Sequence, residues 1–152
     1  MKKIQVLVDS FEPFRERFPI WSKICIKVDD LCFPDKAWID ATSSILVIWI
    51  DNLIKVLNGS TNTVDLFFLD ADCSMKIVST SLHKVCMFLY SSGERIATLE
   101  EVDMLYFTRQ VLSASSKFMQ QYQQFCYSQQ VQEVSDAAAR LRRQLRNSTL
   151  SK

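Results

Sequence analysis

Residues 33–72 read FPDKAWIDATSSILVIWIDNLIKVLNGSTNTVDLFFLDAD, and the reading of this stretch decides the fold. Pro34-Asp35 marks a helix start, because an aspartate carboxylate accepts hydrogen bonds from the first free amides of a helix. Trp38, Thr42, Ile45, Trp49, Leu53 and Val56 follow at spacings of four, three, four, four and three, which trace one helical face. The run Ile45–Ile50 taken alone also suits a strand. The length of the pattern, from Asp35 to Asn58, selects helix. Gly59 then stands where a left-handed residue closes a helix. A helix apolar nearly all round at its middle is expected to be sandwiched, with Trp38 and Trp49 in the core. Val64 to Leu69 reads as a strand ending at Asp70-Ala71-Asp72.

Working outward, Ile4 to Val8 and Trp21 to Val28 alternate as strands, with a bend at Phe11-Glu12-Pro13-Phe14-Arg15 between them. Asp29-Asp30 ends the second. Met75 to Val78, Lys84 to Tyr90 and Arg95 to Leu99 continue as strands of an antiparallel meander, with a turn at Ser91-Ser92-Gly93-Glu94. From Glu100 or Glu101 the period becomes helical, and the acidic residues there suit a helix N-terminus. The stripe Leu105, Thr108, Leu112, Ser115, Met119, Tyr122 is out of phase with Val131, Val134, Ala138, Leu141, Leu145, so a break is expected near Ser128-Gln129-Gln130. This order implies an α+β fold: a single antiparallel β-sheet of about five to six strands, packed with a long central helix and C-terminal helices. Residues 1–147 are expected to form one domain, and 148–152 a disordered tail.

Composition removes several classes of function. The chain has 152 residues, 48% of them hydrophobic and 23% charged, which is ordinary for a folded domain. Its two glycines, Gly59 and Gly93, cannot build a glycine-rich phosphate loop. One histidine, His83, cannot supply a multi-histidine zinc site. The five cysteines form no CxxC pair, so buried free thiols are expected rather than a metal or a disulfide framework. No apolar run approaches the ~20 residues of a membrane span. No secretory leader is visible either, and a cytoplasmic location is expected. Net charge is +1, but residues 1–103 hold 15 acidic and 11 basic side chains, whereas residues 104–152 hold 2 and 7. Such asymmetry favours a charged partner surface.

Few clusters offer chemistry. His83 lacks a visible nucleophile beside it and reads as a turn histidine. Asp70 and Asp72 could ligate Mg²⁺, contact a basic partner or simply be solvated in a turn. Arg140, Arg142, Arg143 and Arg146 sit late in the last helix, where the macrodipole favours cations, and no aromatic residues interleave them for nucleic acid.

The segment Phe33-Pro34-Asp35, Trp38, Asp40, Ile45-Leu46, Trp49 and Gly59, followed by Leu66, Phe68 and Asp70, resembles a family of small bacterial immunity proteins. These are cytosolic antidotes to polymorphic toxins, including those of contact-dependent growth inhibition. Ala71-Asp72-Cys73 stand where that family more often has Gly-Pro and an aromatic. The resemblance implies a binding protein without catalysis, cofactor or metal, whose partner is a cognate toxin domain such as a nuclease. A nuclease surface that holds phosphates is basic, so acidic turns would complement it. The candidate toxin-binding residues are Asp29, Asp30, Asp70, Asp72 and Glu94. No membrane or direct nucleic-acid partner is expected, and a homo-oligomer is allowed. The alternatives are a regulatory or scaffold protein that oligomerises through its long helices, and a metal-dependent nuclease using Asp70 and Asp72.

Overall fold

A computed structural model describes residues 3–11, 19–125 and 129–150. The elements run β1 (Ile4–Asp9), β2 (Ser22–Val28), β3 (Leu31–Phe33), β4 (Ile39–Asp40), α1 (Thr42–Leu57), β5 (Thr63–Phe67), β6 (Cys73–Ser81), β7 (Lys84–Ser91), β8 (Glu94–Asp103), α2 (Met104–Gln121) and α3 (Gln129–Leu150). The mixed α+β class is as expected, but the described strands form two four-stranded sheets rather than one sheet of five to six. In the first, β1 pairs antiparallel with β2 from Ile4↔Val28 to Asp9↔Lys23. On the other edge of β2, β3 and β4 follow one another, at Ile26↔Phe33 and at Ser22↔Asp40. The second sheet is the meander β5-β6-β7-β8. Hydrogen-bond partners along a strand edge are non-local, so counting strands does not say how many sheets they make.

The helix α1 joins the two sheets and is sandwiched as its composition requires. It packs against α3, β5, α2 and β2. Ile45, Leu46, Trp49, Ile50 and Leu53 are fully buried on it. Each such side chain contributes about 1.5–3 kcal/mol on leaving water. One continuous core unites these residues with Ile4, Ile24 and Ile26 of the first sheet, Met75, Ile77 and Met87 of the second, and Phe107, Phe118 and Leu141 of α2 and α3. The C-terminal end of α1 is as read: Gly59 has φ +79° and its N–H donates to the Val56 carbonyl at 3.2 Å.

Its start is not. The helix begins at Thr42, and Asp35 lies on an exposed turn where its carboxylate accepts from the Ala37 N–H at 3.5 Å. Residues 31–40 are drawn to β2 instead, and the Ile24 N–H donates to the Trp38 carbonyl at 3.0 Å. Trp38 is therefore half-buried beside the core rather than on the α1 stripe. Ala41 offers α1 no side-chain cap; a tertiary contact serves the first turn. The Ser43 N–H donates to the Ile20 carbonyl at 3.3 Å, the Ser43 Oγ accepts from the Ile20 N–H at 2.9 Å, and Ser22 Oγ lies 2.7 Å from Thr42 Oγ1.

The second boundary also moves. Glu100 and Glu101 belong to β8, held there by Val85↔Val102 and Lys84↔Asp103 pairing. Asp103 is the N-cap of α2, its Oδ1 accepting from the Leu105 and Tyr106 N–H groups at 2.9 and 3.1 Å. The last two helices are separate as expected, but α2 already ends at Gln121, a 3₁₀ turn spans Gln123–Phe125, and Gln129 and Gln130, expected at the break, belong to α3. The helix α3 runs to Leu150, through the first three residues of the segment 148–152, and buries Ser148. The bend around Pro13 lies outside the described residues.

Candidate binding rim

The connection from β5 to β6, residues 68–72, gathers the parts of the 33–72 segment that the helix does not use. Strand alternation turns Val64, Leu66 and Phe68 inward and leaves Phe67 and Leu69 about half exposed, at 51% and 49%. Asp70 and Asp72 follow and are exposed. Beneath them sits Asp40, fully buried at the end of β4. Its Oδ2 accepts from Trp38 Nε1 at 2.9 Å and from the Leu69 N–H at 3.0 Å; its Oδ1 accepts from the Ala41 N–H at 2.7 Å. The Asp70 N–H is shared between both oxygens at 3.1 Å. A buried carboxylate is costly unless its lone pairs are filled, and here one indole and three backbone amides fill them.

Further bonds tie the same connection down. Trp49 Nε1 donates to the Phe67 carbonyl at 2.8 Å, and Asn52 Nδ2 to the Asp65 carbonyl at 3.1 Å. The Phe68 ring meets Trp49 edge-on at 5.3 Å and Phe33 at 5.6 Å. The Phe68 N–H donates to the Cys73 carbonyl at 3.1 Å, closing the turn on itself. The Ser92 N–H reaches the Asp72 carbonyl at 2.8 Å, linking this turn to the β7–β8 hairpin. Thus five of the residues that mark the 33–72 segment, Phe33, Trp38, Asp40, Trp49 and Phe68, contribute to holding one turn.

Three of the five candidate residues share this rim. Cys73 pairs with Ser91, and Ser91 with Glu94, so Glu94 sits two strands across from the β5–β6 turn. At about 4.8 Å per strand that is roughly 10 Å. Asp29 and Asp30 form the β2–β3 turn, with Asp29 at φ 52°. They lie at the end of β2 opposite to Asp40, about 20 Å away at roughly 3.3 Å per residue. The fold therefore groups Asp70, Asp72 and Glu94 and leaves Asp29 and Asp30 elsewhere. Phe67 and Leu69 were absent from the candidates, although the period-two alternation of residues 64–69 already pointed both outward. Asp40 was part of the motif but carried no assigned role, because the two amides it holds at the rim, those of Leu69 and Asp70, come from 29 and 30 residues away.

Other clusters do less. His83 occupies the β6–β7 turn at φ 63°, where its carbonyl accepts from the Met104 N–H at 2.8 Å. Arg140 pairs with Asp51 at 3.1 Å, and Arg142 Nη2 lies 3.3 Å from Ser116 Oγ. Among the described residues no group of three or more His, Cys, Asp or Glu is placed to hold a metal ion. Cys25, Cys32, Cys73 and Cys86 are free thiols, and burial pushes Cys25 up to about 11. No described helix is long and apolar enough to cross a membrane. Compared with protein-family models, curated proteins and solved structures, the chain matches none.

Proposed function

We propose that this chain is an immunity protein: a cytoplasmic inhibitor that binds a cognate toxin domain and neutralises it without catalysis of its own. The observation that carries the reading is the rim at residues 67–72. It presents two carboxylates, Asp70 and Asp72, beside two half-exposed apolar side chains, Phe67 and Leu69. Interfaces of high affinity combine an apolar anchor with a charged surround, and they gain most when the surface is already ordered before binding. The Asp40 carboxylate and the Trp49 indole order this one. A toxin that handles phosphates, such as a nuclease, carries a basic surface that this rim complements. The rim would then either plug the active site or dock beside it.

The test is co-expression with the toxin domain encoded beside this chain. The wild-type chain is expected to restore growth against that domain and against no unrelated one. Failure to restore growth, or equal rescue from unrelated toxins, overturns the reading. The scaffold alternative is not favoured, because Val131, Val134, Ala137, Ala138 and Leu141 of α3 are already buried inside the protomer. A stable homo-oligomer in equilibrium sedimentation, with no toxin bound, would restore it.

A further inference from the structure

The outer face of the first sheet carries a second feature, chemically opposite to the rim. Leu7 and Asp9 of β1 and Lys23, Cys25 and Lys27 of β2 alternate with the core residues and point away from them. The loop of residues 34–38 folds along this face, anchored by the Ile24 N–H to the Trp38 carbonyl, and brings Lys36. On the opposite side Gln121 Nε2 donates to Asp9 Oδ1 at 3.2 Å, which draws α2 to β1. Lys117 lies one turn earlier on the same helix face. Together they border an open concavity of about 540 Å³. That is within the ordinary range of small-molecule sites, about 300–1,000 Å³.

Four lysines from three separate elements thus border one hollow. None of them forms an ion pair among the described residues. Asp9 is the single acidic residue of the lining and accepts from the Ser10 N–H and Gln121, so four lysines against one carboxylate leave the lining at a net +3. Asp35, whose carboxylate accepts from the Ala37 N–H, is a second negative charge close to the floor. Burial keeps the Cys25 thiol protonated, so it adds no negative charge to the floor. Like charges around a concave, low-dielectric wall focus a positive potential into it. The floor itself is apolar, formed by Leu7 and Cys25.

We propose that this concavity binds a polyphosphorylated small molecule of the nucleotide class, its phosphates taken by Lys23, Lys27, Lys36 and Lys117 and its ring lying on the apolar floor. The site is independent of the rim and of the reading given to it. The test is titration calorimetry on the full chain at low ionic strength with ATP, pyrophosphate, adenosine and citrate. ATP is expected to bind more tightly than pyrophosphate, and adenosine not to bind. Lys36→Glu with Lys117→Glu, both at exposed positions, is expected to weaken ATP about tenfold or more. Lys55→Glu, exposed on α1 and away from the hollow, is expected to leave it unchanged. Three results overturn the proposal: no saturable ATP binding up to about 5 mM, citrate binding as tightly as ATP, or an equal loss in Lys55→Glu.

Discussion

The acidic rim at residues 67–72 and the lysine-bordered hollow on the first sheet hold charge in different ways. Under Asp70 and Asp72 the backbone itself is pinned, with two consecutive amides bonded to one buried carboxylate. The lysines around Leu7 and Cys25 sit on four-carbon stems without an ion-pair partner among the described residues. A pinned backbone presents a surface of set shape, which suits a large partner whose own surface is rigid. Flexible stems bring charge without setting shape, which suits a small anion that several of them can follow. Phe33, Trp38, Asp40, Trp49 and Phe68 of the 33–72 segment thus lie beneath the proposed rim and hold its backbone in place.

The largest expected effect breaks both regions together. Trp49→Ala should cost about 3–5 kcal/mol, because it removes a fully buried aromatic and the donor to the Phe67 carbonyl. A urea midpoint within error of wild type would show that the rim does not lean on the core through this residue. Asp40→Asn is the next and separates the two regions. It should cost about 1–3 kcal/mol, since the charge-assisted bonds weaken and one amide loses an acceptor. Hydrogen exchange should accelerate at the Leu69 and Asp70 amides while the β1–β2 pairing stays protected. Uniform acceleration across both sheets would mean that the rim is not held locally.

Replacing Asp70 and Asp72 with lysine should change folding stability by no more than about 0.5 kcal/mol, as both are exposed. On the proposed immunity reading, association with a cognate toxin domain at low salt should slow about tenfold, and its salt dependence should weaken. An unchanged on-rate would remove the acidic residues from the interface.

The last effect concerns the hollow's floor and is confined to alkaline pH. Burial raises Cys25 from 9.0 to about 11, so the folded state keeps a proton that the unfolded chain releases. Stability contributed by the neutral thiol is therefore fully present below pH 9 and is lost as pH rises through about 11. Cys25→Ala should flatten the difference in stability between these two pH values relative to wild type. Parallel curves for the two proteins would place the thiol in contact with water.

The middle of α1 was legible because its evidence is local. Ile45, Trp49 and Leu53 recur at helical spacing, and Gly59 sits one position beyond the C-cap residue Asn58. The strands of the meander were legible by alternation for the same reason, with Val85, Met87 and Leu89 buried and Lys84 exposed. The helix start was misplaced because Asp35 has the chemistry of a cap but not its position. The pull of β2 on residues 31–40 is invisible from within the segment. Glu100 and Glu101 misled likewise, since acidic residues suit a helix start but β7 extends the pairing past them to Asp103. At the rim, exposure of Asp70 and Asp72 was readable from turn chemistry. Their separation from Asp29 and Asp30 was not, because it depends on Asp40, beside Ser22 at one end of β2, holding the β5–β6 turn while Asp29 and Asp30 follow the other end.

What the sequence determined by itself is the material of the fold: an apolar central helix with its stop, alternating strands on either side of it, and C-terminal helices with one break. These follow from spacing between near neighbours, where a single residue's preference is felt within a turn or a strand. Only the tertiary structure decided that the strands divide into two sheets, and that Asp40 reaches the amides of Leu69 and Asp70. Both depend on hydrogen bonds between residues far apart in the chain. Such bonds form only after the core has brought the donors and acceptors out of water and face to face, and no local pattern records their partner.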